Sequence, residues 1–299
     1  MNLWIDEDGK LRLAWRIVLA IVLTILVNLL ALGIAEAAGR SERSVDFVYR
    51  PTAALLLIAV YSAMLLFADR VHGNPLTALG LGRLHRGRLA LGGMALGALM
   101  VGFAVAGTAV AGTVHWTVHF NGDAVGLIAV ELFILMTGAM TEELMFRGYP
   151  FQRLVEAAGS TVAVVLMSAL FGLAHLGNPH SSFWAVTNTI LVGVLLSLAY
   201  LRTRSLWLPW GIHFGWNFAL GLGFGLPVSG LTEFAVAVHG YSTGPIWLTG
   251  GAYGVEGGAL GTGAILLGFI PLVWFTRRVA TIETGSGAES PSGAPAASK

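Results

Sequence analysis

Cysteine is absent from the 299-residue sequence, which excludes disulfides, thiolate metal sites and a cysteine nucleophile. Charge is scarce: Asp, Glu, Lys and Arg make up 11% of the residues, against about 25% in an average soluble domain. With 56% apolar residues, too little polar material remains to cover a water-soluble surface. The net charge of +1 provides no basic surplus for a phosphate backbone, so a nucleic-acid partner is excluded. Glycine is abundant, at 40 residues without a triplet period, which suits close helix contacts in lipid rather than a collagen-like chain. No internal repeat is evident.

Apolar runs long enough to cross a hydrocarbon core of roughly 30 Å recur along the chain. They predict an all-α, polytopic membrane protein of about eight spans. These are Trp15 to Ala35, Pro51 to Ala68, Leu89 to Gly112, Ala124 to Gly148, Thr161 to Leu176, Phe183 to Leu201, Leu206 to Phe224 and Leu260 to Phe275. The expected organisation is three N-terminal helices over residues 1–120, a four-helix core over 121–226, a loop and last helix over 227–278, and a disordered tail over 279–299. Ala35-Glu36-Ala37 has the form of a signal cleavage site, but the preceding apolar stretch exceeds the usual 7–15 residues or so and its leader is mixed in charge. A retained first helix is the better reading.

Lys and Arg set the orientation. With the N-terminus inside, that side collects Lys10, Arg12, Arg16, Arg70, Arg83, Arg86, Arg88, Arg147, Arg153, Arg202, Arg204, Arg277, Arg278 and Lys299, while Arg40, Arg43 and Arg50 fall outside. Both termini are therefore expected in the cytoplasm, and the protein in the plasma membrane of a prokaryote.

Four charges lie in the fourth run: Glu131, Glu142, Glu143 and Arg147. Each charge at a helix centre costs about 2.5–3.5 kcal/mol on insertion scales, so the cluster needs a reason. Glu143 and Arg147 stand at i and i+4, acid before base, the order that pairs along one helix face. Glu142 is turned about 100° away and is left free for proton chemistry. From this segment alone, a helix end with a solvated ion pair is an equally good reading. The histidines shift the balance. His175 and His213 fall within spans, and His213 shares a face with Asn217 at i and i+4. Two His, an Asn and an unpaired Glu on three apolar spans point to a site. Glu142 and His175 are each about 16 residues, or roughly 24 Å of helical rise, from the turn at Ala158-Gly159, so a hairpin brings them to one depth. Pro150 should break or kink the helix near Tyr149. Glu131 is assigned to the cavity mouth and His180 is left out of the site. Asn188 either lines the cavity or bonds between helices.

The ordered set Glu142-Glu143-x-x-x-Arg147, Phe171-x-x-x-His175 and His213-x-x-x-Asn217 resembles the CAAX prenyl protease 2 and bacteriocin-processing group of intramembrane endopeptidases, over roughly residues 125–220. The resemblance implies an intramembrane catalytic cavity and hydrolysis of a peptide bond in a membrane-anchored protein or peptide, with the lipid bilayer as the other partner. It makes Glu142 the general base and His175 the group that binds and activates water. His213 and Asn217 become the oxyanion donors, with Glu143 and Arg147 supporting the helix. No cofactor is favoured. Zinc on Glu142, His175 and His213 is the alternative, against which stand the lack of a His-Glu-x-x-His motif and the poor ligand quality of Asn217. A rhomboid-type Gly-x-Ser-Gly and an aspartyl-type Gly-x-Gly-Asp are both missing. Two rivals use the same charges differently: a transporter or proton channel, with Gly148-Tyr149-Pro150 as a helix break, and a non-catalytic scaffold or immunity protein.

Overall fold

The computed structural model describes residues 4–39, 41–119 and 122–285, with side chains as far as Arg277. The described chain is nearly all helix. In order come α1 (Leu13–Ala38), α2 (Glu42–Ala63, continued by a π-helical turn Met64–Ala68), α3 (Pro75–Leu79), α4 (Arg86–Val110), α5 (Ala124–Arg147), α6 (Tyr149–Ala174), α7 (Phe183–Thr203), α8 (Trp207–Phe218, with a π-helical turn Ala219–Gly223), α9 (Ile246–Thr249) and α10 (Ala259–Gly285). A two-stranded antiparallel ribbon, unforeseen from the sequence, pairs β1 (Val114–Val118) with β2 (Val238–Ser242). Among the described residues, six helical runs are long and apolar enough to cross a membrane. The run over 124–174 holds two of the eight expected spans, and the expected span at Leu206 is the short α8. Outward faces carry apolar side chains, with Leu29 of α1 61% exposed, as an integral membrane protein in lipid requires.

Several boundaries differ from the hydropathy reading, each for a local reason. α2 starts at Glu42 because Ser41 forms a reciprocal capping box with Ser44, so Arg43 and Arg50, expected in an outer loop, lie on a helix. The chain breaks at Gly148, and Pro150 sits in the first turn of α6, where its missing N–H costs nothing. At Gly159, φ is 82°, a left-handed conformation that bends α6 where a turn was expected. The segment before the bend is anchored by Asp69, which accepts from Tyr149 Oη at 3.0 Å and pairs with Arg16 at 2.9 Å and Arg153 at 3.2 Å. Arg40 and residues 286–299 of the expected tail lie outside the described residues, while helical backbone continues through Gly285.

One contact fixes the short α8. Gly93 and Gly97 of α4 meet Gly211 and Gly215 of α8 backbone to backbone. A Cβ on Gly97 would lie 2.2 Å from the Ile212 carbonyl oxygen, and one on Gly215 would lie 2.4 Å from that of Met94. Two facing Gly-x-x-x-Gly stripes thus let the helices approach more closely than side chains permit. A core around α4, α5, α7, α8 and α10 forms on this contact, and a second joins α1, α2, α6 and α7. Gly97→Ala should lower stability by about 1–3 kcal/mol through overpacking. Gly102→Ala, on the same helix with open space at its Cβ, should be neutral or stabilising. Thermal unfolding of the two variants in detergent makes the comparison.

Candidate active site

α5 presents its acidic pair on two faces, as the 100° step requires. Glu143 and Arg147 are wholly buried and pair at 3.2 Å. Arg147 also donates to the Gly193 carbonyl of α7 at 3.1 Å, and its guanidinium carbon lies 4.5 Å from the centre of the Phe171 ring. The same Glu143 Oε1 receives Nδ1 of His213 at 2.9 Å, a bond that intrahelical spacing does not reveal. Glu142 faces the other way, into a cavity. Its Oε2 is buried without a hydrogen-bond partner among the described residues and lies 3.7 Å from His213 Nε2 and 4.0 Å from His175 Nε2. Those separations suit groups bridged by a water molecule.

The ring protons follow from the partners. His175 stands just past the end of α6, where Nδ1 meets the Phe171 carbonyl at 2.7 Å. A carbonyl only accepts, so Nδ1 donates and, in the neutral ring, the Nε2 lone pair points toward Glu142. His213 Nδ1 likewise donates to the Glu143 carboxylate, which turns its Nε2 to the cavity.

The cavity measures about 270 Å³, and Glu142, His175, His213 and Asn217 all line it. The four expected site residues therefore converge, from α5, the end of α6 and α8. Glu131 does not reach this cavity. It pairs with Arg43 and lines a separate acidic recess with Asp46 and Glu233. His180 is exposed on a turn. Asn188 acts mainly as a bond between segments, donating to the carbonyls of Glu256 at 2.7 Å and Gly258 at 3.0 Å and accepting from Thr262 at 2.8 Å.

Three contributions escaped the sequence reading. Tyr49 and Arg50 of α2 line the cavity, although Arg50 was counted as an outer-loop charge. Ser229, Leu231 and Phe234 form a lip from the loop after α8. Glu256 accepts from Trp216 Nε1 at 2.6 Å and from Ser229 Oγ at 2.9 Å, and so ties α8 to that lip. Burial pushes the Glu256 carboxyl above the usual carboxylate range, and the bonds from Trp216 and Ser229 pull against that shift. A lone Glu in a Gly-rich loop carries no periodic signal, although its position in an otherwise apolar stretch was a usable hint.

The Glu142, His175 and His213 donors have the chemistry that zinc takes, but their spacing is wider than the edge of about 3.4 Å expected of a tetrahedral site with bonds of about 2.1 Å. Among the described residues, no three His, Cys, Asp or Glu side chains form a metal cage. No step below is routed through a metal.

Comparison with known families adds an independent observation. Residues 124–219 match the family model described as type II CAAX prenyl endopeptidase Rce1-like. This segment is similar to an Rce1-like endopeptidase core. No curated protein and no solved structure matches the chain. The Rce1-like segment spans α5 to α8 and ends at Ala219, so it contains all three motifs, while α2 and the lip lie outside it. The activity that the matched family's description carries is that of a CAAX prenyl endopeptidase.

Within the matched segment, Arg147→Leu leaves Glu143 buried without Arg147 and should cost about 3–5 kcal/mol. Glu143→Gln keeps an acceptor for both partners and should cost less than Glu143→Ala. Unfolding midpoints in detergent for the three variants give the order.

Proposed function

We propose that this protein cleaves a peptide bond of a membrane-associated protein or peptide with a water activated by Glu142, and that no metal takes part. The carrying observation is the unpartnered Glu142 Oε2 between two imidazole Nε2 atoms in a cavity that also contains Asn217. Glu142 takes one proton from water, and His175 Nε2 accepts the other hydrogen and so orients the oxygen. Attack on the scissile carbonyl carbon moves charge onto its oxygen, which Asn217 Nδ2 and His213 Nε2 stabilise. The His213 role requires the doubly protonated ring, with Nδ1–H on Glu143 and Nε2–H free for the oxyanion. Collapse of the intermediate breaks the C–N bond, and Glu142 returns its proton to the departing amine.

Glu143 and Arg147 act through position. Arg147 balances Glu143, and Glu143 sets the His213 ring, so Glu142 is the one carboxylate of the pair left to exchange protons. A CAAX-like, prenylated substrate is the form that the family resemblance suggests. The plasma membrane of a prokaryote and cytoplasmic termini remain part of the same proposal.

Fragment termini should be compared by mass spectrometry in cells carrying wild type or Glu142→Gln. Termini present only with wild type are expected, and the variant should fold normally. Uptake or proton flux that survives in Glu142→Gln, with no cleavage in either strain, would favour the transporter reading. With a cleaved sequence in hand, Asn217→Ala should lower kcat about 10²–10³-fold. Turnover should persist in a chelator; loss on chelation and recovery with zinc would overturn the metal-free mechanism.

A further inference from the structure

The cavity holds one cation that the proposed chemistry does not use. Arg50 projects from α2 against the α5 face that carries Glu142. Gly138, one turn before Glu142 on that face, makes the room: a Cβ there would lie 2.6 Å from Arg50 Nη1. Thr141 holds the α2 backbone in place by donating to the Arg50 carbonyl at 2.8 Å. The guanidinium is only partly satisfied. Nη2 reaches Asp46 at 3.2 Å, while Nε is buried without a hydrogen-bond partner among the described residues. A guanidinium offers five donors in a planar fork suited to carboxylates, so Arg50 can take a further anion on the cavity side. Tyr49 lies beside it on the cavity wall.

Resting on the peptidase reading above, we propose that Arg50 determines specificity by binding a carboxylate at the C-terminal end of the substrate. Gly138 and Glu142 are separated by one turn, about 6 Å of rise, and an extended peptide spans about 3.3–3.6 Å per residue. A peptide whose carboxylate is held at Arg50 is therefore long enough, with a few extended residues, to reach Glu142 in the same cavity. An arginine that served only to balance the Glu142 charge would affect every substrate alike, whereas a carboxylate receptor affects only those that carry the group.

The test uses full-length protein in liposomes and N-palmitoylated peptides ending in mixed Ala, Val, Leu and Phe. They are made as free acids, as C-terminal amides, and as amides with a terminal Glu. Wild type should cleave the acids with kcat/KM about 10- to 100-fold above the plain amides, the range of a charge-assisted bond. Arg50→Gln should remove that preference through KM, and Arg50→Lys should restore part of it. Amides with terminal Glu that match the acids keep the carboxylate recognition and assign its source to a side chain. Equal cleavage of acids and plain amides by wild type overturns the proposal without any variant. The same peptides are titrated against Glu142→Gln by tryptophan fluorescence. An acid preference in binding that the added Arg50→Gln abolishes, without turnover by wild type, sustains Arg50 and sinks the peptidase reading; equal binding of acid and amide, or a preference that survives Arg50→Gln, sinks the role of Arg50.

Discussion

The bond between Glu143 and His213 is the constraint around which the site is organised. A carboxylate buried in an apolar bundle is tolerated only when it is paired and hydrogen-bonded. Glu143 meets that demand with Arg147 one turn along α5 and His213 across on α8. Arg147 then spends a second donor on the Gly193 carbonyl of α7 and lies over the Phe171 ring of α6. One buried ion pair therefore links four helices. It sets which nitrogen of His213 faces the cavity, and it leaves Glu142 beside an oriented ring rather than a mobile one.

That constraint works only if α8 stays at a fixed depth. In lipid, helix association gains little from the hydrophobic effect and depends on close packing. The paired glycines of α4 and α8 provide the packing, and the short α8 needs it because it is too short to be held by length alone. Glu256 adds a polar tie at the other end of α8 through Trp216, the residue between His213 and Asn217 in space along the helix. Backbone contact on one side and a hydrogen-bonded clasp on the other leave α8 little freedom to turn its two donors away.

Much of this was legible in the residues, and the limit has a physical shape. Intrahelical relations read well: Glu143 with Arg147, His213 with Asn217 and the break at Pro150 all follow from local geometry, whereas the turn expected at Gly159 is a bend within α6. The convergence of Glu142 with His175 followed because a hairpin turns equal spacing into equal depth. Relations between helices distant in the chain did not read. Arg50 looked like an outer-loop charge because hydropathy began the second span at Pro51, whereas the Ser41 capping box starts α2 nine residues earlier. The ribbon of β1 and β2 escaped because two five-residue stretches more than a hundred residues apart pair only once the bundle has brought them together.

The matched segment is consequently less than the site. Residues 124–219 hold Glu142, His175, His213 and Asn217, but α4, which positions α8, precedes them and Glu256 follows. The cavity wall at Tyr49 and Arg50 and the lip at Ser229 also come from outside. In the mechanism proposed here, the reacting groups sit in the matched segment, and its flanks contribute part of the cavity wall that meets the substrate. A protein built this way can keep one hydrolytic arrangement while changing the wall that selects what enters it, because the buried bonds of Glu143 do not run through that wall. Arg50 stands on that wall, outside the matched segment. Its contact with α5 rests on Gly138 and on the Thr141 bond to its backbone, neither of which touches Glu143 or the histidines.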